Sequence, residues 1–360
     1  MHGRHLNRFH GFRTPLPAAL LCGLVTFGAQ AASITVNSNT ADNTAGDQLC
    51  SLREALDNAL SAWDWTNGDC TAGTGTDTIG FDPAAFPAAS LTTISLNGSP
   101  LYFSFNTANI TIDGDQRVML DAGYTSRVLY AEGSSVQLTL RGLTLKGGAT
   151  SPGEDGGGIY LDNGVTFRLE NSVVSSNTAA VNGGGIFSRD STLTVVDSLF
   201  TGNQAGGEGG AIYSTGSGSL TVDGSRFEAN TGQAVGGALR SGVPTTITGT
   251  TITGNALLTP GSGAGVSFTL NRTRTLNNNT IINNAPGNNC GGESFTGSGN
   301  QYWPPSDTSC SAGTGTFVDP TPAPVPTPTP VPTLEQWALM LLSTLLAGLS
   351  MTRIRGARVD

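Results

Sequence analysis

Carboxylates, arginines and cysteines are the groups in this 360-residue chain that could do chemistry, because histidine is confined to one end. His2, His5 and His10 precede an apolar stretch at 16–27 and the small-residue site Ala29-Gln30-Ala31, and Arg4, Arg8 and Arg13 lie among them. A basic start, a short apolar core and an A-x-A site predict a secretory signal peptide over residues 1–31. A lipoprotein signal at Cys22 is the competing reading, opposed by Ala19-Leu20-Leu21, which lacks the small residues such a site has. Without the leader, the commonest general base and the commonest zinc ligand are both missing. No Gly-x-Ser-x-Gly, Walker or dinucleotide fingerprint supplies other chemistry. Asp113-Gly114-Asp115 and Glu154-Asp155 are oxygen sets that could hold calcium. Both fall in glycine-rich turns, where hydrogen bonding to the local backbone is the plainer role.

Export leaves Cys50, Cys70, Cys290 and Cys310, an even number in an oxidising compartment. Of the three possible connectivities, the local one, Cys50 with Cys70 and Cys290 with Cys310, is expected, because the repeats between these pairs keep the two ends apart. Each bond would close a loop over a separation of 20 residues, stabilising by about 3 kcal/mol on a loop-entropy basis. A four-cysteine zinc site is the weaker reading, since no C-x-x-C spacing occurs. Taking the leader's three arginines from a formal charge of −9 leaves about −12, and Lys146 is the only lysine. So acidic a chain, without basic clusters, is a poor partner for nucleic acid.

Those groups must be positioned by a chain with 50 glycines and 12% charged residues, a composition that suggests disorder unless the glycines recur. They do recur. Glycine pairs lead into an aliphatic at Ile159, Ile186, Ile212 and Leu239, with a degenerate copy at Val266, at spacings of 27, 26, 27 and 27 residues. An apolar residue three before an asparagine follows each, as Val174/Asn177, Phe200/Asn203, Phe227/Asn230, Ile252/Asn255 and Ile281/Asn284. Eight before each asparagine stands Leu169, Val195, Val222, Ile247 or Leu276; five before stands Ser172, Ser198, Ser225, Thr250 or Asn279. Ten before, Phe167, Leu193 and Leu220 give way to Thr245 and Arg274, where the last rung is expected to fray. Short alternating strands at a 26–27 residue period cannot bury a face alone and must stack. The expected fold is all-β, a right-handed parallel β-helix over 98–318, with the asparagines bridging backbone groups up a column. Leu138, Leu140 and Leu145 extend the register upstream, and Ile110, Ile112, Val118 and Leu120 mark earlier coils.

The two ends differ from the repeats. Ser51-Leu52-Arg53-Glu54 is a capping box, and Leu52, Leu56, Ala59, Leu60 and Trp63 make one apolar helical face. A short helix within 32–97 is expected to lid the solenoid, whose bare end would otherwise be an aggregation edge; a partner-binding helix is the alternative. Residues 319–333 alternate Pro with Thr, Ala and Val, a polyproline II spacer of roughly 43 Å. Within the tail, 331–360, lie Pro332, Thr333, Leu334 and Trp337, a hydrophobic helix over 337–351, and Arg353, Arg355 and Arg358. Fifteen residues cover about 22 Å, short for a ~30 Å span, and the arginines should stay cytoplasmic.

Three family resemblances follow from these motifs. Cys50-Ser51-Leu52-Arg53-Glu54-Ala55 resembles the motif of CSLREA domains, which begin exported β-helix proteins. The Gly-Gly-Ala-Ile and Phe-x-x-Asn pairs resemble polymorphic outer-membrane protein repeats, right-handed parallel β-helices displayed at cell surfaces, although only Phe200 and Phe227 keep the phenylalanine. Val331-Pro332-Thr333-Leu334-Glu335-Gln336-Trp337-Ala338 resembles the IPTL-CTERM sorting signal, with Val for Ile at its start and Ala for Gly after Trp. That resemblance implies a membrane sorting protease as partner, and a tail that is cut or kept as an anchor; an ordinary membrane anchor predicts almost the same location.

A parallel β-helix also carries pectate lyases and polygalacturonases. Hydrolysis needs two carboxylates from neighbouring rungs, but Glu170 and Asp223 share a column that Val196 interrupts, with Asp197 one place on. A lyase needs an arginine base beside calcium-binding acids, and Arg141, Arg168, Arg189, Arg226 and Arg240 scatter over different rung positions. The expectation is therefore an exported, envelope-anchored, non-enzymatic surface protein without cofactor. It would serve adhesion or display and bind an extracellular glycan or protein; a carbohydrate-active enzyme is the alternative.

Overall fold

A strand that buries every second residue needs a neighbour for its backbone groups, and here the neighbour is the same segment one repeat away. Thr192–Val196 pairs in parallel with Thr166–Glu170 on one side and Ser219–Asp223 on the other, aligning Leu193 with Phe167 and Leu220, and Val195 with Leu169 and Val222. The computed structural model describes residues 31–304 and 307–310, except 62 and 105–107, with the backbone alone of 108 and 314–317. Strands of these residues form sheets of seventeen, eight and four strands. A representative coil runs Ile186–Arg189 in the eight-stranded sheet, Thr192–Val196 and Leu199–Thr201 in the largest, and Gln204–Ala205 in the smallest. Between its two visits to the largest sheet the chain turns at Asp197, whose φ of 46° is left-handed.

The glycine pairs do two jobs. Gly209 has φ +69°, a left-handed corner that side chains resist. Its neighbour Gly210 has no such φ, but a Cβ there would stand 2.1 Å from the carbonyl oxygen of Gly237 in the next coil. Rungs can stack at this corner only because the side chain is absent. Inside, side chains pile on their own repeats: Phe200 lies on Phe227 with ring centroids 4.7 Å apart, both fully buried. Burying such a side chain stabilises by about 1.5–3 kcal/mol, which the short strands could not supply singly.

Two polar columns run through this interior. Each asparagine oxygen accepts from the main-chain N–H and the amide of the asparagine one rung earlier: Asn203 Oδ1 from Asn177 at 3.2 and 2.9 Å, and Asn230 Oδ1 from Asn203 at 3.1 and 2.9 Å. The second amide hydrogen goes to a carbonyl of an earlier coil, Asn230 Nδ2 to Phe200 O at 2.9 Å. Asn255 and Asn284 continue the pattern. The column then passes to Asn289, five residues on, and ends on the Asp307 carboxylate. A second ladder links Ser172, Ser198, Ser225, Thr250 and Asn279, each oxygen accepting the previous rung's N–H, and closes on Asn300.

The ends are stapled locally, by Cys50–Cys70 and Cys290–Cys310. At α1, Leu52–Ser61, the capping box is reciprocal: Ser51 N–H donates to Glu54 Oε2 at 2.9 Å and Glu54 N–H to Ser51 Oγ at 3.2 Å. Leu52, Ala55, Leu56 and Ala59 are buried beneath it. Parallel pairing begins at Ala32–Val36 against Thr76–Phe81, so the stretch 32–97 shares the largest sheet with the coils.

Two expectations need correction. The helix stops at Ser61, and Trp63, instead of extending its apolar face, is 66% exposed. Arg274 does not fray: it is 3% exposed, with its guanidinium 5.3 Å above the Phe268 ring and bonded to the carbonyls of Thr269, Leu270 and Ser294. These oxygens replace a counter-ion, and burial lowers its pKa despite Glu293 nearby. Among the described residues no helix is long and apolar enough to cross a membrane. The expected hydrophobic helix and Pro332, Thr333, Leu334 and Trp337 lie outside them.

Candidate ligand-binding surface

In the eight-stranded sheet, alternation that buries Leu101, Leu129, Ile159, Ile186 and Ile212 turns the next residue outward. Those next residues are Tyr102, Tyr130, Tyr160, Phe187 and Tyr213, of which Tyr102 is exposed, Tyr130, Tyr160 and Tyr213 are half-buried, and Phe187 is covered, at 3% exposure. In-register pairing stacks them into one ladder with centroid separations of 5.0, 4.9, 5.3 and 5.6 Å and interplanar angles of 15° or less. Each such contact contributes about 0.5–1.5 kcal/mol beyond burial. Sequence reasoning stopped at the aliphatic residue; the signal was the aromatic after it.

Two places further along each strand stands a polar column, Ser104, Glu132, Asp162, Arg189 and Thr215. Tyr102 and Tyr130 donate to Glu132 at 3.3 and 2.9 Å, and Tyr160 to Asp162 at 3.1 Å. Arg189 grips Asp162 with two nitrogens and reaches the Tyr160 hydroxyl at 3.0 Å. Burial opposes the Asp162 charge, but bonds from Arg189, the Asn163 amide and Tyr160 outweigh it and hold the carboxyl below its usual value. Burial, and then the Asp162 charge, push Tyr160 up to about 12 although Arg189 pulls the other way. The Tyr160 hydroxyl therefore stays a protonated donor near neutral pH.

The ladder's open end meets a trough. A hollow of about 460 Å³ is lined by Asp57, Leu60, Ser61 and Trp65. It shares Asp57 and Leu60 with a second hollow, lined also by Asn43, Arg53 and Tyr102. Pro100 connects that one to a third, lined by Tyr124, Arg127 and Glu154. Trp65, Tyr102 and Tyr124 are 65%, 52% and 56% exposed. Asn43 Nδ2 donates to Asp57 Oδ2 at 3.0 Å.

The five arginines weighed for catalysis, Arg141, Arg168, Arg189, Arg226 and Arg240, are each paired with an acid. Arg141 pairs with Asp113 at 2.5 Å, Arg117 with Asp115 at 3.4 Å and Arg127 with Glu154 at 3.4 Å. Arg168 pairs with Glu170, Arg226 with Glu228 and Arg240 with Glu208. Among the described residues no three metal-ligating side chains converge. The cysteines and the asparagine column lie at the ends and inside, so they build the scaffold and do not face solvent.

Coil architecture, paired ions and a stacked aromatic column define a parallel β-solenoid. Residues 127–303 match the model of the right handed beta helix region. Residues 329–356 match the IPTL-CTERM motif. The chain is a right-handed β-helix protein with a sorting-signal tail, and that pairing points to export and surface display. No curated protein and no solved structure matches it.

Proposed function

We propose that the protein is exported, processed or anchored through its tail by a membrane sorting protease, and displayed as a non-enzymatic binding β-helix. The observation that carries this reading is the tail motif at 329–356 placed behind a rigid solenoid. The CSLREA-like start and the repeats' likeness to polymorphic outer-membrane proteins belong to the same reading. So does the pairing of seven arginines with acids, which occupies those carboxylates in ion pairs. One observation favours the enzyme alternative: Glu132 and Asp162 are in register on adjacent coils beside tyrosine hydroxyls. Asp162, however, is locked to Arg189 in a two-nitrogen grip, a geometry for orientation more than for proton transfer.

The test is expression in a host of the protein's own type with a tag after Ala32, followed by fractionation, protease treatment of intact cells and intact mass. A product on the surface or in the medium, ending near Thr333 or anchored there, is expected. A full-length product confined to the inner membrane would overturn display. New reducing ends or unsaturated products from polygalacturonate, lost in Glu132→Gln, would replace the binding reading with the enzymatic one.

A further inference from the structure

Three hollows of the described residues share residues in series from Trp65 past Tyr102 to Tyr124. We infer that this trough binds an extended, uncharged pyranose chain. This rests on reading the protein as a surface binder and names its ligand class and site.

A pyranose offers an apolar C–H face and a rim of hydroxyls. Trp65 and Tyr124 present broad exposed rings, and Tyr102, stacked by one face on Tyr130, lines the trough beside the cap. Such rings supply apolar area at small entropy cost. Between them stand Asp57, Asn43 and Glu154, and carboxylates make the stronger hydrogen bonds to hydroxyls. Charge decides against an anionic chain such as a uronate. Arg53 directs its nitrogens at the carbonyls of Ala41, Leu96, Ser99 and Pro100. Arg127 directs its own at the carbonyls of Asp155 and Gly156 and at Glu154. The trough's two cations are thus engaged by carbonyls and by Glu154, so neither offers a free charge to an anion, and the chain without its leader carries about −12 (−9 less the leader's three arginines).

Purified full-length protein is titrated by calorimetry with the hexaoses of cellulose, mannan, xylan and laminarin, and separately with polygalacturonate. At least one neutral hexaose should bind, and Trp65→Ala and Tyr102→Ala should each weaken it about tenfold, with Trp65→Phe retaining most of the affinity. Should Tyr102→Ala disturb the ladder, the Trp65 pair still decides, since that side chain stands on an exposed loop. The inference fails if no neutral hexaose binds, if polygalacturonate binds in their place, or if Trp65→Ala leaves affinity unchanged. It also fails if light scattering shows self-association that Trp65→Ala abolishes, which would make a second copy the occupant. Surface display without binding sinks the site and spares the display reading; binding by a chain retained in the inner membrane does the reverse.

Discussion

Replacing Asn230 by alanine should open the middle of the solenoid. The side chain is fully buried. Its oxygen takes the main-chain N–H and amide of Asn203, and its nitrogen serves Phe200 O and Asn255 Oδ1. Alanine would leave both Asn203 donors without partners, whereas the Phe200 carbonyl stays in the ladder with the strand Arg226–Glu228 and Asn255 Oδ1 keeps the Asn230 main-chain N–H. Two buried orphans at about 1–3 kcal/mol each put the cost at about 3 kcal/mol. A solenoid opens locally, so hydrogen exchange is the suitable assay. Peptides covering Leu199–Thr201 and Arg226–Glu228 should exchange about a hundredfold faster, while the coil at Ile159–Asp162 changes little. Asn230→Asp should be as damaging near neutral pH, because a carboxylate would face two acceptor oxygens, and should recover on acidification as it takes a proton. An exchange increase below about tenfold for Asn230→Ala would refute the reasoning, showing that water or relaxation replaces the lost bonds.

Three further outcomes follow from the same geometry. Cys50→Ser with Cys70→Ser should lower the stability of the cap by about 3 kcal/mol, read as loss of protection in α1 before the central coils. Gly210→Ala should cost several times more than Gly80→Ala, since neither glycine has a left-handed φ but a Cβ at 210 meets the Gly237 carbonyl at 2.1 Å and one at 80 meets nothing within 4 Å; urea midpoints of the two would compare them. The depressed carboxyl of Asp162 contributes stability that is present above the unfolded value of about 3.9 and lost as pH falls through the folded one. The wild type should thus exceed Asp162→Asn by about 1 kcal/mol at neutral pH, and the two should converge in acid.

Much of the interior was legible because stacking in register converts chemistry into period. A position that must lose its Cβ, such as Gly210, or must accept two donors, such as Asn203, returns in each coil with the same residue type, and the spacing of 26–27 exposes it. Legibility failed where the period broke. Asn289 continues the asparagine column only five residues after Asn284, because the last coil is cut short and the Cys290–Cys310 loop folds back over it. Arg274 occupies a core position aligned with Thr245, and only the neighbouring carbonyls and the Phe268 ring explain how a cation is tolerated there.

The outward face obeys a looser rule, and so it was read least well. An inward side chain must match its neighbours above and below in volume or lose dispersion and leave voids. An exposed outward one need only avoid clashing, and the column from Tyr102 to Tyr213 passes on to Arg240 and Ser267. Phe187 and Ser267 are nevertheless buried, so the middle of the column answers to packing and its end at Tyr102 does not. Truncating Tyr213, at the far end of the ladder, should then disturb stability slightly and leave glycan affinity intact, while truncating Tyr102, at the trough, should do the opposite. Equal effects of the two on binding would mean that the ladder acts as one continuous surface and not as a support for its exposed end.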